Sequence, residues 1–242
     1  MKYSWLVLSI GILGVACKLG TANAENLPGQ PFATATPVSK QKGMVKKMTE
    51  HPDDIRLTAS ATAIDGKLTI NYEITNGSKA IIYVWDQMVG YPSGEQSIDD
   101  IGAYVCLEEP ATLRVVRANL PLPPNIDVAR KEIPFARAIA PGAEISGTVE
   151  LDLPTRERSP FYPPAKEAES KIVHFSKVRL MIGLLEAKDG MVVTERKVGD
   201  KTVLAVRGAW AGPYHRLIDQ TFDVEGDVIA YKSNFDRALP MH

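Results

Sequence analysis

Apolar and polar residues alternate from Leu57 to Ala63 and again from Leu68 to Ile74, and an Asp-Gly pair stands between the two runs. Asp65-Gly66 suits a two-residue type I′ turn, in which both central residues take positive φ. A turn there pairs Ala63 with Leu68, Ala61 with Ile70, Ala59 with Tyr72 and Leu57 with Ile74, all apolar. The residues between them are polar: Thr58, Ser60 and Thr62 on one strand, Thr69, Asn71, Glu73 and Thr75 on the other. The turn therefore sets a register that separates a dry face from a wet one. The small alanines leave room for a neighbour packed closely over them. Asn76-Gly77-Ser78 supplies the next turn, and Ala80 to Trp85, apolar on both faces, reads as a central strand.

The pattern recurs downstream. Residues 86–100 are polar and rich in turn formers, a long loop or a partial strand with a loop. Gly102 to Leu107 and Ala111 to Leu120 read as strands, the second with Leu113 and Val115 on one face and ended by Pro121, Pro123 and Pro124, which cannot donate to a ladder. Pro134 to Ala140 is a short apolar strand, and Pro141-Gly142 fits a type II turn. Ile145 to Leu153 alternates, with Ile145, Gly147, Val149, Leu151 and Leu153 inward. Residues 154–170 are charged and proline-rich, a second long excursion. Lys171 to Glu186 reads as one strand. Asp189-Gly190 and Gly199-Asp200 mark turns that make Met191 to Val198 and Lys201 to Trp210 the rest of a three-stranded meander. Thr221 to Val224 and Val228 to Tyr231 form a last hairpin.

The pattern predicts roughly eight to eleven short strands, no amphipathic helix beyond two turns and no β-α-β alternation. This is an all-β protein, an antiparallel β-sandwich of immunoglobulin-like or related type with long irregular loops. An irregular barrel is the alternative.

The first residues follow a different pattern. Met1-Lys2 is followed by an apolar run, Leu6 to Ala16, too short to span a bilayer comfortably and suited to a signal h-region. Ala22-Asn23-Ala24 is an A-x-A cleavage signature, which places the mature start at Glu25. Leu13-Gly14-Val15-Ala16-Cys17 offers a second reading, a lipobox in which Cys17 is acylated. Gly14 stands where such boxes carry a large aliphatic residue. Both readings export the body, to the periplasm or beyond the cell in the first, to the outer membrane as a lipoprotein in the second. Residues 1–24 are thus expected to be a signal peptide and 25–54 a flexible tether, with one or two helical turns around Lys46-Lys47. Residues 55–242 are expected to be a single sandwich domain with excursions at 86–100 and 154–170.

Composition adds little to the fold and something to the partners. Hydrophobic residues make up 45% and charged residues 24% of the chain, as in ordinary globular domains. Residues 1–24 hold two lysines and no acid, so cleavage leaves 26 basic against 29 acidic side chains, a formal charge of −3. That balance argues against general nucleic-acid binding, which needs a basic excess. Membrane association is expected only through lipidation of Cys17. Cys106 is the one cysteine past the signal, so no disulfide can form within the mature chain. It sits in the apolar run Ala103 to Leu107, which suits a buried thiol.

Candidate chemistry is sparse. The G-x-S-x-G, H-E-x-x-H, P-loop and dinucleotide motifs are missing. His51, His174, His215 and His242 are not spaced as metal ligands, and Met44, Met48 and His51 form too small a soft-ligand set for a copper site. Asp99-Asp100 and Glu108-Glu109 are acidic pairs in loops, without the repeating oxygen pattern of a calcium loop. No cofactor is expected. The reading is a non-catalytic binding or accessory module of the cell envelope whose partner is a protein or an envelope polymer. A periplasmic hydrolase or enzyme inhibitor with a site assembled from distant strands is the alternative. Loop aromatics are the candidates for the partner surface: Tyr91, Phe161, Tyr162, Trp210 and Tyr214.

Overall fold

The structure is a computed structural model that describes residues 45–50, 55–91, 94–108, 110–122, 132–161, 166, 169–207 and 215–231. All of these fall in one compact unit, Gln41–His242.

The central hairpin forms in the register read from its turn. β2 (Ile55–Ile64) and β3 (Lys67–Asn76) pair Ala63 with Leu68, Ala61 with Ile70, Ala59 with Tyr72 and Leu57 with Ile74. Asp65 and Gly66 take φ of 51° and 73°, as a type I′ turn requires. Leu57, Leu68, Ile70 and Ile74 are buried. β1 (Val45–Glu50) adds to β2 and β9 (Glu144–Asp152) adds to β3, completing a four-stranded sheet β1-β2-β3-β9. Residues 45–50, expected within the tether, are therefore a strand. The outer edge of β2 exposes a row of unpaired N–H and C=O groups, and the preceding segment satisfies them.

Asn76-Gly77-Ser78 is a crossing between sheets rather than a hairpin. Asn76 is fully buried. Its amide donates to the carbonyls of Ala80 (2.8 Å) and Ile139 (2.9 Å), and its Oδ1 accepts from the Ser78 N–H and hydroxyl. The chain then enters a nine-stranded sheet. Its members are β4 (Ile82–Gly90), β5 (Ser97–Asp99), β6 (Tyr104–Glu108), β7 (Thr112–Arg117), β8 (Phe135–Ile139), β12 (Lys177–Glu186), β13 (Val192–Val198), β14 (Lys201–Arg207) and β15 (His215–Phe222). The path runs β13-β14-β8-β4-β12-β7-β6, with β15 on β12 and β5 on β4. A third sheet, β10 (Thr155–Arg156), β16 (Gly226–Tyr231) and β11 (Ser170–Phe175), has the order β10-β16-β11.

The fold is thus nearly all β, in several sheets, with a sandwich-like core and no α-helix among the described residues. Leu57, Ile70, Ile74 and Val149 of the first sheet share one hydrophobic core with Val115, Leu180, Ile182 and Leu184 of the second and with Phe175 and Val228 of the third. β4 is a central strand between β8 and β12, as its apolar run implies. β15 comes alongside β1 and β2.

Strand partners differ from the reading in three places, and the described residues alone hold sixteen strands where eight to eleven were expected. Lys171 to Glu186 is two strands in different sheets. At the break, the N–H groups of Ser176 and Lys177 both donate to the Ala111 carbonyl. β13 and β14 do not extend a meander from β12. One edge of β12 is taken by β15 and the other by β7 and β4, so the hairpin docks on β8 instead. β15 and β16 belong to different sheets and form no hairpin. Within 86–100 the second of the two readings holds, a partial strand with a loop: β4 runs on to Gly90 and β5 returns against it.

Candidate functional site

Two polar features stand out, one largely buried within the sandwich and one open to solvent. The buried one is a chain of hydrogen bonds from β7 to β3, β4 and β8, solvent-accessible only at its Arg137 end. Arg117 is fully buried and spends all its nitrogens. Its Nη1 donates to the Tyr72 hydroxyl (2.8 Å), its Nε to the Gly102 carbonyl (2.8 Å), and its Nη2 to the carbonyls of Asp100 (2.6 Å) and Thr148 (2.9 Å). The Tyr72 hydroxyl donates onward to Asp86 Oδ2 (2.9 Å). Arg137 closes the chain from the other side with both Nε and Nη2 on the Asp86 carboxylate. A Cβ on Gly147 would collide with the Tyr72 ring, so glycine at that position admits the phenol. Buried charges need this degree of hydrogen bonding to be tolerated.

This network has a positioning consequence. β8 carries Arg137 in the network and, two residues earlier on the same face, Phe135. β4 kinks at the register shift between Val84 and Gln87, where Asp86 lies. Arg117 holds the foot of the loop that returns from β5. That foot is pinned further by Asp99, which accepts from the Gly102 N–H (2.8 Å) and pairs with Arg158 (3.1 Å), and by an Asp100–Lys201 ion pair that reaches the β13–β14 hairpin.

The open feature is the cleft these elements frame. It encloses about 170 Å³ and is lined by Val89, Phe135 and Ala205 at its floor, with Tyr91, Gln96, Glu132, Ile133, Pro134, Arg196 and Arg207 around them. Its floor belongs to a small apolar cluster of Val89, Phe135, Val198, Val203 and Ala205. Tyr91 is 44% exposed and Ile133 41%, and Val192, the cross-strand partner of Arg207, is 53% exposed. Neither Arg196 nor Arg207 has a hydrogen bond or an acidic partner among the described residues. Burial first, and the Glu132 carboxylate second, push the nearby Tyr104 phenol well above its ordinary range. The lining exposes more polar than apolar surface: over the buried Val89, Phe135 and Ala205 stand the half-exposed Tyr91 and Ile133, the Glu132 carboxylate and two guanidiniums without a partner among the described residues.

The two long excursions meet near this cleft. Arg158 pairs with Asp99, and its backbone exchanges hydrogen bonds with Val105 (2.9 Å each way). Glu157 accepts from the N–H groups of Leu107 and Tyr231 (both 2.8 Å), fastening the second excursion across the edge of β6.

Of the aromatic candidates, Tyr91 lies in the cleft. Phe161 is half-buried against an apolar cluster on the outer side of the large sheet, with Met88, Tyr104 and Val116, and so packs back rather than outward. Tyr162, Trp210 and Tyr214 lie outside the described residues, as do Cys17, Ala24, His51 and His242. Cys106 is buried and is not in a disulfide. His174 is on β11 and hydrogen-bonds Asp227 (3.1 Å) on the surface. Of the acidic pairs, Asp99 and Asp100 are committed as above and Glu108 stands beside Arg114 and Arg179, while Glu109 lies outside the described residues. No group of three or more potential metal ligands exists among the described residues.

Sequence reasoning missed Arg117, Asp86, Arg196 and Arg207. Arg117 could have been found, because it continues the inward alternation of Leu113 and Val115. Asp86 closes an apolar run, a visible oddity. Arg196 and Arg207 carry no local signal, since the cleft depends on which strand the hairpin pairs with.

No protein-family model, curated protein or solved structure matches the chain.

Proposed function

We propose that the protein is an exported, non-catalytic binding module of the cell envelope, built on an immunoglobulin-like or related sandwich, and that it holds its ligand or protein partner in the cleft between the β4–β5 loop and the β13–β14 hairpin. The observation that carries this reading is the cleft's lining: two guanidiniums without partners among the described residues beside half-exposed Tyr91 and Ile133, over an apolar floor. Export rests on the apolar run at Leu6 to Ala16 and the A-x-A signature at Ala22 to Ala24, with acylation at Cys17 as the membrane-bound variant of the same reading.

A thermal-shift screen of the mature chain against peptides, oligosaccharides and organic acids tests it. A ligand at a hundred times its Kd stabilises by about 2.7 kcal/mol, a shift of roughly 5–10 °C for a chain of this size. The shift is expected to vanish in a Tyr91→Ser/Arg196→Gln double variant that keeps its circular dichroism spectrum, and to persist in Cys106→Ala and His174→Ala. Hits indifferent to the double variant, or chemical turnover of a hit that one substitution abolishes, contradict the reading.

A further inference from the structure

We infer that the cleft takes a carboxylate carried on an apolar body of about one ring, either a free organic acid or the C-terminal residue of a peptide. This rests on the cleft being the binding site. The size comes first. The cleft is open to solvent and holds about 170 Å³, room for one ring when set beside the roughly 150 Å³ cavity that takes benzene. Its floor of Val89, Phe135 and Ala205 offers that ring an apolar seat.

The charge comes second. Arg196 and Arg207 reach the cleft from different strands, β13 and β14, and stand in the ladder four residues apart, since Arg207 pairs with Val192. Arg117, Arg137 and Arg158 are each bound to a carboxylate or a carbonyl, whereas these two exposed arginines have no partner among the described residues. A guanidinium presents a planar fork of donors that matches a carboxylate's two oxygens. Glu132 shares the cleft, and its negative charge disfavours a second anionic group on the ligand, which points to a monoanion.

The third point concerns access. The half-exposed Tyr91 and Ile133 lie at the solvent side of the cleft, so an apolar body enters past apolar side chains and leaves its carboxylate beside the arginines. A free acid such as phenylpropionate satisfies these demands. So does a peptide that ends in phenylalanine, whose chain would run out past Tyr91.

Calorimetric titration of the full mature chain decides it. The probes are phenylpropionate, the uncharged phenylpropionamide, acetate, and a short alanine peptide ending in phenylalanine with its C-terminus free or amidated. Phenylpropionate or the free-terminus peptide is expected to bind, and the tighter of the two identifies the source. Removing one charge-assisted hydrogen-bond partner weakens binding by about 10- to 100-fold. That loss is expected for the amide form of whichever probe binds, and for Arg196→Gln and Arg207→Gln with the acid form. Acetate, which lacks the apolar body, is expected not to bind. The inference falls if acid and amide bind alike, if neither arginine variant weakens the acid, or if neither acid probe binds. In the last case, screen hits that are still lost in the Tyr91→Ser/Arg196→Gln variant leave the cleft reading standing without this ligand class, whereas hits unaffected by that variant overturn both.

Discussion

Ile70→Asp is expected to unfold the domain, and Thr69→Asp, one residue away, to leave it folded. Ile70 is fully buried opposite Ala61 on the dry face of the central hairpin. Truncating a side chain there costs about 2–4 kcal/mol in lost burial and cavity, and an unpaired buried carboxylate adds to that. Set against the roughly 5–15 kcal/mol of a whole domain, the sum removes most or all of the stability. Thr69 lies on the other face, between Thr62 and Glu150. An aspartate there meets one like charge directly across the ladder, a loss of roughly 0.2–1 kcal/mol. Urea melts of the two variants, side by side, measure the difference. Equal losses would mean that the register set by Asp65-Gly66 is wrong.

Asp86→Ala is expected to be the most damaging change in the polar network. Its carboxylate is the sole acid among Arg117, Tyr72, Asp86 and Arg137. Removing it takes the carboxylate partner from the half-buried Arg137 and the acceptor from the Tyr72 hydroxyl, and breaking one side of a buried pair costs up to about 3–5 kcal/mol. Asp86→Asn, which keeps the volume and an acceptor oxygen, is expected to lose less. Tyr72 supplies a second readout. Burial first and the Asp86 charge second raise its phenol from an ordinary 10.0 to about 12. The folded chain therefore keeps that proton where the unfolded chain releases it. This contribution to stability is present in full below pH 10 and is lost as the pH rises towards 12. In an absorbance titration, the Tyr72 phenolate of Asp86→Ala is expected to form at lower pH than that of the parent chain. An unchanged titration and a stable Asp86→Ala variant would mean that the network does not couple these groups.

The hairpin was legible because its evidence is local: a two-residue turn and a period of two fix which residues pair and which face is dry. Burial was legible for the same reason at Cys106 and at Ile82, Val84 and Trp85, whereas Ile81, just ahead of β4, is exposed. What period cannot encode is the identity of a distant partner. The alternation at Val178, Leu180, Ile182 and Leu184 announces a strand, yet nothing in it says that β7 lies parallel on one edge while β15 runs antiparallel on the other. The cleft was illegible for that reason. Its arginines come from a hairpin that could have followed β12 and instead docks on β8, and this brings Arg196 and Arg207 to Phe135 and Tyr91. Asn76 is an intermediate case. Asn-Gly-Ser announces a turn, but the two carbonyls its amide finds, Ala80 and Ile139, make it a bridge between sheets.

The central claim is that function resides in the cleft, and the most direct test is a map of where a ligand touches the chain. Backbone amide chemical shifts should be followed while the labelled protein is titrated with the compound that stabilises it most in the thermal-shift screen. The account predicts that the largest changes cluster at Tyr91, Gln96, Ile133, Phe135, Arg196 and Arg207. Changes centred on the β10-β16-β11 sheet or on the outer face around Phe161 would contradict it.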